Sequence, residues 1–428
     1  MKNNILLKIF FVIISVICSY NIYLQYLEIK ETREFFNSIK GTVNVNEYII
    51  YGNNLNIKGK INYINKPDDV SIVLKNLDDE REYPLSYTYK DGNILFETSK
   101  YINKGIDLEK LIDVNHYIFI KIKNNKNIEY YSLKNDTIYE NIEYFSLTKN
   151  NKNYKIKLYI NEFQVKKEKI PYFKLKSNNV IIDGEFFDII IDPGHGGKDP
   201  GAISLNKYYR EADLNLEVSK KLKKSLEKIG LKVKLTREED VTLPSYGLDG
   251  RAVIPNKYKA KLLLSIHLNS SEKKNITGGV EIYTPSNIDY TLASLMADNI
   301  VDIAKTNYSA NDTDKIKDGV YVRTFNQKGI KEAEDYAIKN GYEPYNITTT
   351  TPALYMLRET GGIMTNAYID GRNKDMDVNL YYNSNVAVES YLLELGYINN
   401  NDNLSHLLNN MDLYVDAITN SVKDYYGL

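Results

Sequence analysis

The run Ile189-Ile190-Ile191-Asp192-Pro193-Gly194-His195-Gly196-Gly197-Lys198-Asp199-Pro200-Gly201-Ala202 decides the fold class. With Phe186 to Asp188 before it, it is a short apolar segment that ends abruptly in Pro and Gly, the pattern of a strand buried on both faces. Leu214, Val218, Leu222, Leu226 and Ile229 follow at helical spacing, and Gly230 supplies the stop. Residues 233–236, 262–266 and 280–283 read as short apolar strands, 292–303 as a helix, 391–393 as a strand and 402–425 as a terminal helix. Strands alternating with helices predict an α/β domain over 183–428 with a mostly parallel, twisted sheet. Functional side chains in such folds collect at the carboxyl ends of the strands.

Upstream the period changes. Leu55, Ile57, Ile61 and Tyr63, then Val70, Ile72 and Leu74, then Ile118, Ile120 and Ile122, then Tyr154, Ile156, Leu158 and Ile160 alternate with polar residues. Turns such as Tyr89-Lys90-Asp91-Gly92 separate them, which predicts an all-β, sandwich-like antiparallel domain over 44–177. His116 opens one of these strands and reads as structural. Between 149 and 176 nine lysines face two acids, Glu162 and Glu168. A solvated strand face accounts for that run, and an anionic wall polymer is the other partner it would suit.

At the N-terminus an apolar run over 9–20 follows Lys2 and Lys8, the form of a signal anchor or signal peptide over 1–27. No small-x-small cleavage site follows it, so an uncleaved membrane anchor is expected, with the rest of the chain outside the cell and 28–43 as a polar stalk; cleavage would make the protein secreted. A length of 428 residues suits two or three folded units. A formal charge of −1 gives no basic field for nucleic acid. The single cysteine, Cys18, excludes an intrachain disulfide framework and Cys-pair zinc sites. With four histidines in all, His116, His195, His267 and His406, a transition-metal site has few nitrogen ligands to draw on.

Two of the four sit in strand-end motifs: His195 in the glycine-rich run above, and His267 in Ser265-Ile266-His267-Leu268-Asn269. Glu211 opens the first helix across the loop from His195, and Glu394 lies in the late strand motif Leu393-Glu394-Leu395-Gly396. Two imidazoles and one carboxylate make a three-ligand catalytic zinc set with an open fourth position, and a further carboxylate can act as proton shuttle. His195, Glu211 and His267 are the expected ligands, and Glu394 the expected base. Each has a plainer reading: Glu211 as a first-turn carboxylate favoured by the helix dipole with Asp213 as a rival ligand, Glu394 as a paired buried acid. The glycine-rich loop lacks the Gly-Lys-Ser/Thr step of a phosphate loop, and no His-Glu-x-x-His helix occurs.

Taken in order, these motifs resemble the zinc-dependent N-acetylmuramoyl-L-alanine amidases of type 3, which cut peptidoglycan between the lactyl group of muramic acid and the first L-alanine of the stem peptide. The resembling residues are 190–197 with Asp199 to Ala202, Glu211 to Leu216, Leu235-Thr236-Arg237 with Asp240, 243–251, Ser265 to Asn269 with Gly279-Val280-Glu281, and 393–398. The resemblance implies a six-stranded sheet, Zn2+ as cofactor on His195, Glu211 and His267, Glu394 as catalytic glutamate, and Asn269 and Arg251 as substrate-binding residues. It says nothing of 44–177. A segment over 307–385 is longer than in simple members, which suggests a lid, a substrate wall or an inhibitory element within 365–383, with a passive surface excursion as the plainer reading. Two other functions are compatible with the same residues: a zinc peptidase on stem peptides, and an inactive wall-binding protein that recruits partners.

Overall fold

The computed structural model describes residues 19, 20, 23, 30, 31, 33–75, 80–111, 116–134, 142–145, 154–165, 168–179, 185–245, 249–341, 344, 347–360 and 388–428. The expected anchor therefore lies almost wholly outside the described residues, as do the 365–383 element and most lysine side chains of 149–176. Among the described residues no helix is long and apolar enough to cross a membrane.

The first half is β-rich, as the alternation predicts. Its strands are β1 (Gly41–Tyr51), β2 (Asn54–Asn62), β3 (Asp69–Lys75), β4 (Glu80–Pro84), β5 (Ser86–Lys90), β6 (Asn93–Glu97), β7 (Ile106–Asp107), β8 (His116–Asn124), β9 (Asn127–Lys134), β10 (Ile142–Phe145), β11 (Tyr154–Val165) and β12 (Glu168–Asn179). They form one branched twelve-stranded sheet, β10-β11-β12-β8-β9-β1-β2-β6-β5 with β3, β4 and β7 off that path, in place of two sandwiched sheets. The reason lies in β8, which pairs with β12 through His116 to Ile118, with β9 from Phe119 onward and with β3 along its other edge, so hydrogen bonding is continuous. All these pairings are antiparallel except β1 with β9.

The alternating residues point into a shared core, and Ile57, Ile72, Ile118, Ile120 and Ile122 are fully buried, each contributing about 2 kcal/mol of apolar transfer. Phe119 breaks the alternation by being apolar on the opposite face. Helical residues 33–38 (α1) cover it: the Phe35 and Phe36 rings meet Phe119 at 4.8 and 5.7 Å and reach Tyr130 and Tyr117. This end of the expected stalk is thus packed against the β sheet, because two adjacent aromatics find an aromatic patch. His116 is buried, in keeping with a structural role.

The second half is α/β. Its strands are β13 (Ile189–Pro193), β14 (Val233–Leu235), β15 (Leu262–Asn269), β16 (Glu281–Tyr283), β17 (Lys315–Lys317), β18 (Val320–Tyr321) and β19 (Glu389–Tyr397), ordered β14-β13-β15-β19-β16-β18-β17. The expected six strands are seven, with β17 and β18, both from the long 307–385 segment, at the edge next to β16. Four of the pairings are parallel; β16 with β19 and β17 with β18 are antiparallel. The helices are α2 (Glu211–Lys228), α3 (Ile254–Lys257), α4 (Thr291–Ala304), α5 (Gln327–Lys339), α6 (Tyr355–Thr360) and α7 (Asn401–Tyr426). Ile189, Ile191, Leu262 and Leu264 join the core with α2, α4 and α7, while Ile190 and Leu263 face Val253 and Met356 beside α3 and α6. The strands are therefore buried on both faces, which is why they read as unbroken apolar runs.

Boundaries shifted where pairing, and not hydrophobicity, sets them. Phe186 and Phe187 precede β13, since its neighbours begin opposite Ile189; Phe187 instead packs on Tyr258. Strands β15 and β19 outrun their apolar cores because they pair with each other as far as Asn269 and Tyr397. His267 and Glu394 consequently lie inside strands, as direct register partners, and not beyond the strand ends.

Candidate metal centre

The loop after β13 carries His195 in the left-handed region at φ 60, followed by Gly196 at 130 and Gly197 at 61. A non-glycine residue there is strained by order 1 kcal/mol or more, and surrounding contacts must hold it. They are present. Arg251 donates to Asp192 Oδ1 and the Pro193 carbonyl at 2.8 Å each, and also to the His195 carbonyl. Arg237 donates to the Pro193 and Gly194 carbonyls at 3.1 and 2.9 Å and to that of Ala212 at 2.7 Å, linking the loop to α2. Asp240 accepts the Gly197 N–H at 2.7 Å.

So held, the His195 Nδ1 lies 2.8 Å from Asp199 Oδ2 and its Nε2 3.0 Å from Glu211 Oε1. His267 Nδ1 lies 3.0 Å from the same Oε1, and the two imidazole centroids are 5.0 Å apart. Glu211 is buried at the first turn of α2, where its Oε2 accepts the Ala202 N–H at 2.8 Å and its Oε1 the Leu268 N–H at 3.2 Å. The ligand atoms of His195, Glu211 and His267 all lie within 4.8 Å of one another, close enough to hold a metal ion, and among the described residues they form the one such group. Asp213, the rival ligand, turns away to Arg210 at 2.6 Å. Space around the group is tight: a Cβ at Gly201 would come 2.6 Å from Glu211 Oε2, and one at Gly194 2.3 Å from the His267 ring.

The electrostatics follow from these contacts. Burial pulls the His195 imidazole down, but Glu211 and Asp199 outweigh it and push it up to about 9. Burial pushes the Glu211 carboxyl up, and the two histidines reverse this, holding it well below the usual carboxylate range. Glu394 is the opposite case: burial, then the charges of Glu211 and Glu281, raise its carboxyl well above the ordinary value. Its Oε2 is buried and has no hydrogen-bond partner. A cleft of about 380 Å³ joins these groups, lined by His195, Asp199, His267 and Glu394 with Thr242, Leu243 and Ser245 on one side and Leu354, Tyr355 and Met356 on the other.

Neither expected substrate-binding residue is free. Arg251 lines the cleft, but its guanidinium is engaged with the His195 loop; Asn269 donates to Glu281 Oε2 at 2.9 Å. Two further features carried no role in the sequence reading. Arg237 braces the loop, and Glu281, register partner of Glu394, accepts from Asn269, Tyr283, Ser309, Asn311 and Tyr397. Both lie within motifs already visible as strings, but nothing local tells a buried brace from a reacting group. His406 contacts Tyr414 on α7, away from the cluster.

A family model described as N-acetylmuramoyl-L-alanine amidase matches residues 189–424, more than half of the chain. The chain belongs to the N-acetylmuramoyl-L-alanine amidase family. Among curated amidase relatives, a putative N-acetylmuramoyl-L-alanine amidase of Buchnera aphidicola subsp. Baizongia pistaciae is 40% identical over 104 residues, 24% of this chain and 46% of that one. The probable cell wall amidase LytH of Staphylococcus aureus is 41% identical over 91 residues, 21% of this chain and 28% of that one. The matched stretch thus spans less than half the length of these relatives. The solved catalytic domain of the amidase CwlV from Bacillus (Paenibacillus) polymyxa var. colistinus aligns at 21% identity and a TM-score of 0.37, over 56% of this chain and 97% of that one.

Proposed function

We propose that this chain hydrolyses peptidoglycan at the amide between the lactyl group of N-acetylmuramic acid and the first L-alanine of the stem peptide, using zinc. The observation that carries the reading is that two imidazoles meeting one buried carboxylate, Glu211, line a cleft together with a second carboxylate, Glu394, that has a free buried oxygen. The donor set fits zinc, since two His and one Glu leave a fourth position open. Both ring nitrogens already aim at one Glu211 oxygen, and Asp199 fixes the tautomer of His195 from behind. Zinc held by His195, Glu211 and His267 would supply Lewis acidity, polarising the amide carbonyl and acidifying water.

The remaining work falls to the chain's own residues. Glu394 Oε2 takes the proton of the attacking water and delivers it to the leaving L-alanine nitrogen, for which its burial and raised affinity for protons suit it. Leu354, Tyr355 and Met356 wall the cleft and limit water around the scissile bond. Arg251 and Arg237 hold the His195 loop, and Asn269 holds Glu281 beside Glu394. The site works outside the cytoplasm, where its polymer lies, with the apolar run over 9–20 as tether or export signal.

The test is Glu394→Gln. It should keep one zinc per chain and lose at least about 100-fold in kcat on a defined muropeptide, with the bond cut identified by mass spectrometry. Near-normal turnover, or cleavage within the stem peptide, would overturn the reading.

A further inference from the structure

The end of the α/β sheet opposite the metal centre buries charges on which the β-rich half packs directly. Lys261 and Glu389 stand at the entrances of β15 and β19 and are 3% and 2% exposed. Lys261 Nζ pairs with Glu109 from the β-rich half and lies 4.7 Å over the Tyr426 ring. Glu389 accepts from the hydroxyls of Tyr391, Tyr425 and Tyr426 at 2.6, 3.0 and 3.1 Å. The turn between β1 and β2 sits directly on it: Gly52, at φ 54, leaves room for only 3.1 Å between a Cβ and Glu389 Oε2. Tyr51, fully buried, accepts the Ser390 N–H at 3.0 Å. Asn53 donates to the same Glu109 carboxylate. A second contact flanks this one, where Asn103 and Asp289 exchange hydrogen bonds of 2.9 and 2.7 Å and Lys104 meets Asp289 at 2.7 Å.

These residues address the strands that carry the chemistry. Six residues along β15 from Lys261 is His267, and five along β19 from Glu389 is Glu394, the two being register partners. A β-strand transmits a shift at one end along its ladder, since a slip of pairing turns every side chain. A buried lysine deprived of its carboxylate must either lose its proton or drag water into the sheet.

We propose that the β-rich half is a fixed brace of the catalytic sheet, with Glu109 and Tyr51 as positioning residues that seat Lys261 and β19 and thereby hold His267 and Glu394 in register. The part concerning turnover rests on the amidase reading above; the part concerning strand order and metal affinity does not.

The experiment uses the full chain. Glu109→Gln removes the carboxylate in contact with Lys261, Tyr51→Phe removes one acceptor, and Glu109→Gln with Lys261→Met removes both members of the contact pair. Amide hydrogen exchange over 262–267 and 389–395, zinc affinity by chelator competition, and kcat and KM on a muropeptide are read for each. In Glu109→Gln, exchange in both strands should rise at least about tenfold, zinc affinity should fall and kcat should drop with KM unchanged. Tyr51→Phe should do the same to a smaller degree in β19, and the double variant, which lacks the tie but buries no lysine charge, should keep part of the rise in exchange. Wild-type exchange in β15 and β19 with wild-type zinc affinity in Glu109→Gln would overturn the brace. Should Glu109→Gln not fold, the double variant decides: raised exchange in β15 and β19 with weakened zinc binding supports the brace, and wild-type values of both would overturn it. Loss of turnover in the wild type itself would instead sink the amidase reading and leave the exchange result standing.

Discussion

At the residue scale, the cluster depends on carboxylates that never enter the metal group. Asp199 touches His195 Nδ1 at 2.8 Å and so sets the ring's orientation. Asp199→Asn should weaken zinc binding about 10–100-fold while leaving the fold intact, as read by chelator competition and circular dichroism. Asp192 is fully buried; burial pushes its carboxyl up, but Arg251 and hydrogen bonds from Thr236 and Ser265 outweigh it and hold it below its usual value. Its folded-state affinity for protons is therefore below that of the unfolded chain, so its stabilisation is complete above about pH 4 and lost as the pH falls through the folded value. Asp192→Asn should be markedly less stable than wild type in urea at pH 7, with the gap narrowing toward pH 3. His195 adds a practical point: at φ 60 an asparagine accepts the backbone that alanine resists, so His195→Asn is the cleaner metal-null variant.

At the element scale, the meeting of His195, Glu211 and His267 was legible because each sits in a compact motif at the edge of an apolar run, and such runs in an α/β sheet place their flanks at one end. What the string could not show is how far pairing carries a strand past its apolar core, which is why His267 and Glu394 fall inside β15 and β19. Nor could it distinguish Arg251 as a brace from Arg251 as a substrate contact, since the difference is the direction of one guanidinium. Close packing between elements gives a sharp test. Gly194→Ala would drive a Cβ into the His267 ring, at 2.3 Å, and should abolish zinc binding; Gly230→Ala, at φ 96 in open space, should cost about 1 kcal/mol of stability by urea titration and leave zinc binding unchanged.

At the scale of the whole molecule, one contiguous apolar core runs from Val43 in the β-rich half to Val422 in α7. Calorimetry of the full chain should accordingly show a single cooperative transition, and two resolved peaks would contradict a shared core. This unity was illegible in the sequence. Composition and period separate the chain into two dissimilar halves, whereas the contacts joining them, such as Tyr51 with Ser390, link residues 339 positions apart and leave no local pattern. The position of β19 carries a consequence in time. Among the described strands it comes last in the chain, yet it lies between β15 and β16 in the middle of its sheet. A chain made only as far as β18 therefore has a gap where the central strand belongs and lacks Glu394 altogether. The group of His195, Glu211 and His267 therefore gains its neighbour Glu394 only once β19 has slid into the slot between two strands made before it.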